Sequence, residues 1–355
     1  MSGKKWLAGC AIGCGGLIVL VLALAALFSV WVRRPGELLA PQRLLGPETT
    51  AHVEWTLGLE DPGTAGFLRE ALAAFRAQQS AAARSGPAWL APLILRQNEK
   101  GEEELRKLLP IVATWSSCPG PTAHEDLHLW SVGLQRIGNR LRLGDWLLAW
   151  IFSRADDAEV HRHRDEKIYR LSGKQGGHAT FFIRGADVIV TSDVETARIA
   201  VDRLAAAPES RAPTPVDRLL AETGGRPLRG AITNERGELP RLWRLLDPDA
   251  APSATVAAWD EIRAVTLAGG LNADGSLTAT LSFICPDARW AAAQAPALSQ
   301  ALSQALSRSG LASEARATPS GDRIRVELRV PELIELASRR LARSSRSALP
   351  STPPD

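Results

Sequence analysis

Residues Trp6 to Val32, WLAGCAIGCGGLIVLVLALAALFSVWV, form a run without one charged side chain. As a helix rising about 1.5 Å per residue, this run reaches ~40 Å, enough to cross a hydrocarbon core of ~30 Å. Backbone N–H and C=O groups find no water inside a bilayer, so a run of this length is expected to span it as a helix. Lys4 and Lys5 precede it, Arg33 and Arg34 follow it, and Trp6 and Trp31 stand at its ends, where amphipathic rings favour the interface. The flanking charges nearly balance and do not orient the helix. The layout does: a tail of residues 1–5 followed by an apolar run is that of an export signal, which predicts an N-terminus inside and a body outside the cytoplasmic membrane.

Two processed forms compete with an uncleaved signal anchor. Ala23 and Ala25 form an A-x-A site, but cleavage there would leave an apolar stretch through Val32 at the new N-terminus. Leu7-Ala8-Gly9-Cys10 matches a lipoprotein box by letters, yet only Trp6 to Gly9 precede the cysteine, too little for an apolar signal region. Gly9 and Gly13 form a G-x-x-x-G, whose small surface would let two helices approach in a homodimer; small residues are also simply common in spanning helices.

After the anchor, residues 33–50 read as a stalk rich in proline and glycine. Residues 51–206 read as a first α+β domain, 207–215 as a linker with three prolines, and 216–343 as a second α+β domain. Residues 344–355 read as a disordered Ser/Pro tail. Period-two alternation predicts a strand over 52–59, further strands at 127–134 and 140–143, and hairpins at 159–164/167–171 and 179–183/187–191. A hairpin at 263–271/276–284 turns on Asn272-Ala273-Asp274-Gly275, and a last strand runs over 323–330. Helices are expected at 65–82, 102–109, 146–152, 194–206, 216–223, 239–246, 288–307 (interrupted early by Pro296) and 331–343, with Ser192 and Glu195 forming a capping box. Residues 116–121 read as a loop. Strands joined by short turns predict antiparallel sheet with helices on one face, in two related halves.

The body carries no recognisable catalytic, cofactor or metal motif. His161 and His163 share a strand face, with Asp165 and His178 as further ligand candidates, but Arg162 and Arg164 are interleaved; a solvated polar hairpin fits as well. Ser172-Gly173-Lys174-Gln175-Gly176-Gly177 lacks phosphate-loop spacing and leads into a strand. Asn272 to Gly275 lacks the calcium-loop ligands. Cys118 and Cys285 would pair if the body faces an oxidising compartment; two buried free thiols are the alternative. Among 11 tryptophans, Trp55, Trp115, Trp130, Trp146, Trp150, Trp243, Trp259 and Trp290 fall in predicted elements, as core or as the lining of an apolar groove. A net charge of +3 spread along the chain gives no case for nucleic acid.

Lys4-Lys5-Trp6-Leu7-Ala8-Gly9-Cys10-Ala11-Ile12-Gly13-Cys14-Gly15-Gly16 and the strand-helix stretch Ala186 to Leu204 resemble uncharacterised bacterial envelope proteins with a Gly/Cys-rich anchor and an extracytoplasmic α+β body. The resemblance implies no catalytic residues. Together these features predict a single-pass inner-membrane protein whose body acts as a binding or structural module, with the lipid bilayer and an envelope protein or second copy as partners. A membrane-tethered hydrolase and a carrier of a lipid or other apolar ligand are the alternatives.

Overall fold

The computed structural model describes residues 37–58, 61, 63–67, 109–119, 126–135, 138–154, 158–172, 178–206, 212–241, 259–308 and 314–331. Among the described residues, twelve antiparallel strands build a single sheet. They are β1 (Ala51–Leu57), β2 (Ile111–Pro119), β3 (Asp126–Leu134), β4 (Ala158–His163), β5 (Glu166–Ser172), β6 (His178–Arg184), β7 (Asp187–Thr191), β8 (Leu228–Thr233), β9 (Ala264–Leu271), β10 (Leu277–Ile284), β11 (Glu314–Ser320) and β12 (Arg323–Val330). Among the described residues the α-helices with defined bounds are α1 (Gly138–Phe152), α2 (Val194–Ala205), α3 (Pro215–Glu222) and α4 (Ala288–Arg308), with a 3-10 helix at Pro41–Leu44. The α+β class with a large antiparallel sheet holds.

The strand order is β11-β12-β10-β9-β8-β1-β2-β3-β7-β6-β5-β4. The first half runs β1-β2-β3, then α1, then the hairpin β6–β7 with β7 returning beside β3; the second runs β8-β9-β10, then α4, then β11–β12 with β12 returning beside β10. The hairpin β4–β5 is an addition to the first half. The halves meet where β1 pairs antiparallel with β8, Ala51 opposite Ile232 and Val53 opposite Gly230. The proline-rich segment 207–215 therefore does not divide the sheet.

Register sorts the side chains onto two faces. One continuous row crosses Tyr169, Phe181, Val190, Trp130, Trp115, Val53, Gly230, Leu267, Leu281 and Val326. On this face lie α1, whose Phe152 ring stands edge-on to Tyr169 and Phe181, and α4, whose Ala291, Ala295, Leu298 and Leu302 pack on Phe283, Ile324 and Val326. The opposite face takes α2 over Leu129, Ile168, Phe182 and Ile189, and α3 over Ala231. The expectation of helices on one face is thus corrected. Strands β3, β5, β6 and β7 carry large apolar residues on both sides, and each side requires cover. Fully burying a side chain such as Phe182 contributes about 1.5–3 kcal/mol relative to exposure.

Local chemistry sets the helix starts. The cap of α2 is Asp193 rather than Ser192: its carboxylate accepts from the Thr196 amide at 2.7 Å, a contact of a kind that contributes about 1 kcal/mol. Thr214 and Asp217 form a reciprocal capping box ahead of α3, with Pro215 in the first turn.

Three further expectations give way. Residues 140–143 belong to α1, since a four-residue alternation is short and the apolar run 146–152 extends as a helix back to Gly138. Ser116 to Pro119 are strand, because β2 has partners on both sides, β1 and β3, whose ladders override turn-forming composition. Residues 314–320 form β11, unread because they are polar and contain Pro319; an edge strand tolerates that proline. Helix α4 also continues through Pro296. Among the described residues no helix is long and apolar enough to cross a membrane; Trp6–Val32, Gly9 and Gly13 lie outside them. The expected helices at 102–109 and 331–343, and most of those at 65–82 and 239–246, also fall outside.

Candidate functional site

The second half differs from the first on the face that α2 covers. There the first half buries the apolar Leu129, Ile189, Phe182 and Ile168 under α2, beside the smaller polar Ser131, Thr180 and Thr191. Their counterparts in the second half are polar. Strand β12, RIRVELRV, alternates, sending Ile324, Val326 and Leu328 into the core under α4 and Arg323, Arg325, Glu327 and Arg329 to the other side. Across the ladder, Arg325 stands opposite Ser282, Glu327 opposite Thr280 and Arg329 opposite Thr278. Beyond these, β10 pairs Ser282 with Thr266, Thr280 with Ala268 and Thr278 with Gly270. On the edge, Arg316 faces Glu327 and Thr318 faces Arg325.

No described helix lies across this surface. It forms a groove of about 1060 Å³, floored by β9, β10 and β12 and walled by the end of α3 with Glu222, Thr223, Arg226 and Pro227. Two of its arginines are tied at the rim: Arg323 to Glu222 at 2.7 Å, and Arg329 to Asp274 at 3.0 Å. Hydrogen bonds from the Ser276 hydroxyl and amide hold the Asp274 carboxyl below its usual range, with Arg329 adding to the effect. Arg226, Arg316 and Arg325 have no ion-pair partner among the described residues, and Arg316 and Arg325 are exposed. Two open guanidinium forks beside a row of hydroxyls are suited to anionic oxygens: the planar fork matches carboxylate or phosphate, and serine and threonine hydroxyls donate or accept. The volume lies at the upper end of ordinary small-ligand sites. The signal was present in the alternation of Arg323 to Arg329. It acquired meaning only once register set Thr278, Thr280 and Ser282 beside it.

The candidates read from the sequence are placed apart. Cys118 and Cys285 are free thiols rather than a disulfide, each buried in its own half. The Cys118 thiol points to the Leu127 carbonyl at 3.8 Å, and that of Cys285 to the Phe283 carbonyl at 3.5 Å. Burial pushes both up to about 11, so neither is a reactive thiolate at neutral pH. The four metal-ligand candidates do not converge. His161 pairs with Glu159 and His163 with Asp202, both at 3.0 Å, while His178 contacts Ser172 at 3.3 Å. No group of three ligands forms among the described residues. Asn272 to Gly275 is the β9–β10 hairpin turn, with Gly275 at φ 78°.

Two serine-histidine contacts occur among the described residues: the exposed Ser172–His178 contact given above and a buried one. His52 Nδ1 lies 2.8 Å from Ser116 Oγ. Both are sealed, at 0% and 2% exposure, and neither lines the groove, so no substrate reaches them. The tryptophans divide: Trp259 is core at 4% exposure, whereas Trp130, Trp146 and Trp150 are 53%, 66% and 51% exposed. None lines the groove.

No known protein family, curated protein or solved structure matches the chain.

Proposed function

We propose that the protein is a single-pass envelope protein, anchored in the inner membrane by Trp6–Val32, whose extracytoplasmic body binds a polar anionic ligand in the groove of the second half. The observation that carries this reading is the contrast between the two halves on one sheet face. Where the first half buries Ile168, Phe182 and Ile189 beneath α2, the second presents Thr278, Thr280, Ser282, Arg325 and Arg316 in a concave surface. The uncharged run and its tryptophan and basic flanks support the anchor. The sealed Ser116–His52 pair gives no support to a hydrolase. The tryptophans, absent from the groove lining, give none to an internal apolar carrier. The two halves' shared strand course supports their being related units.

The test is a calorimetric titration of the full chain in nanodiscs with tripolyphosphate and with trigalacturonate, one probe for phosphate and one for carboxylate oxygens. Saturable binding of at least one, weakening as salt rises, is the expected result. Absence of saturable binding by either at low salt would contradict the reading.

A further inference from the structure

We propose that the outer face of α1 and the adjoining strands of the first half lie against the bilayer that carries the anchor, with Trp130, Trp146 and Trp150 seated at the lipid interface. The inference rests on the anchored reading above. Its basis is an unpaired apolar surface and the position at which the chain arrives from the membrane.

The surface is continuous. Trp146, Leu147, Trp150 and Ile151 stand at i, i+1, i+4 and i+5 of α1, on one side of the helix, and are 66%, 48%, 51% and 43% exposed. The opposite side of α1 is anchored to the sheet by Phe152 on Tyr169 and Phe181. Phe181 is the register partner of Val190, Val190 of Trp130, and Trp130 of Trp115. Val190, Trp130 and Val132 are 38%, 53% and 39% exposed, and the Trp115 ring lies 6.0 Å from that of Trp130. A monomeric water-facing surface rarely gathers this many large apolar groups without a partner. The chemistry is interfacial: indole rings with polar N–H groups, and Arg154 with its guanidinium 4.3 Å from the centre of the Trp150 ring. Trp and Arg together suit the headgroup region rather than a dry core.

The tether brings a bilayer within reach. Glu37 and Leu39 are bound to the β6–β7 turn, the Glu37 carbonyl accepting from the Ala186 amide at 3.3 Å and the Leu39 amide donating to Asp187 at 2.8 Å. Only residues 33 to 36 separate that point from Val32. Such a span reaches at most roughly 17 Å fully extended. The body is thus held within reach of the membrane at the β6–β7 turn, from which Val190 and Trp130 lie on one face of the sheet and Leu39, packed under α2, on the other.

The experiment uses the full chain in phosphatidylcholine vesicles, with and without brominated acyl chains, which quench indole emission on contact. Trp6 and Trp31 report the anchor in every variant. The exposed positions permit a W130F/W146F/W150F variant without disturbing the core. Five quenchable indoles in the wild type against two in the variant predict a bromine-dependent loss of emission roughly twofold larger for the wild type. Equal bromine-dependent losses in the two proteins would overturn the proposal while leaving the anchor intact. No bromine-dependent loss in the variant would instead overturn the anchored reading. Emission changes that follow protein concentration and not bromine would assign the face to a second copy, and would also overturn the proposal.

Discussion

Replacing Arg316 by glutamine and Arg325 by glutamate together is expected to weaken binding of the anionic probe by about 100-fold or more, with folding unchanged. Each guanidinium is open to solvent, and neither has an ion-pair partner among the described residues. A charge-assisted contact contributes about 1.5–3 kcal/mol, so losing two removes at least ~3 kcal/mol, or about two decades of affinity. Glutamine is chosen at position 316 because that residue faces Glu327 across the ladder, where a second carboxylate would destabilise the β11–β12 pair. Arg289→Glu serves as control: it lies at the start of α4, exposed and on the opposite face of the sheet, and should leave affinity unchanged. Calorimetric titration measures affinity, and the thermal midpoint measures folding. Equal affinity for wild type and double variant would remove the groove from the account.

The stability of the protein is expected to fall between about pH 4 and pH 6 because of Asp187, and Asp187→Asn should abolish that part of the fall. Asp187 opens β7 at 2% exposure, with Leu38 and β3 packed close by, and one carboxylate oxygen accepts from the Leu39 amide. Burial raises its pKa to about 6, partly opposed by that hydrogen bond. Well below pH 4 the carboxyl is neutral in both folded and unfolded chains. As pH rises, the unfolded chain ionises first, the folded one resists, and folding loses free energy until the folded group ionises near 6; above that the deficit is constant. A shift of this size corresponds to a loss of up to ~3 kcal/mol. The check is the thermal midpoint against pH for both proteins. Parallel curves would show that Asp187 does not titrate as its burial implies. The same residue ties the stalk to the body, so the variant must be compared by slope rather than by absolute stability.

Elements whose information is local were legible in the sequence. The Asn272–Gly275 turn, the β6–β7 hairpin and α2 follow from turn residues, alternation and helical spacing within a few positions. Elements fixed by distant partners were not. Ser116 to Pro119 carry loop-like residues and become strand only because β1 and β3 flank them. Glu314 to Ser320 depend on pairing with β12. The tryptophans were read in the main as core, yet Trp130, Trp146 and Trp150 are solvent-facing, since amphipathic spacing does not reveal which side of a helix finds cover. The groove failed to appear for the same reason. Its parts are ordinary alternating strands, and the distinguishing fact is that α2 has no described counterpart over β9, β10 and β12.

The most direct test of the groove as a ligand site is residue-resolved arginine modification with phenylglyoxal, read by mass spectrometry, on the full chain in nanodiscs with and without the probe that binds, tripolyphosphate or trigalacturonate. Arg316 and Arg325 are expected to react readily in the free protein and to be protected by the probe, while Arg289 reacts equally in both. Unchanged modification of Arg316 and Arg325, or protection extending equally to Arg289, would contradict the assignment of this face as the binding site.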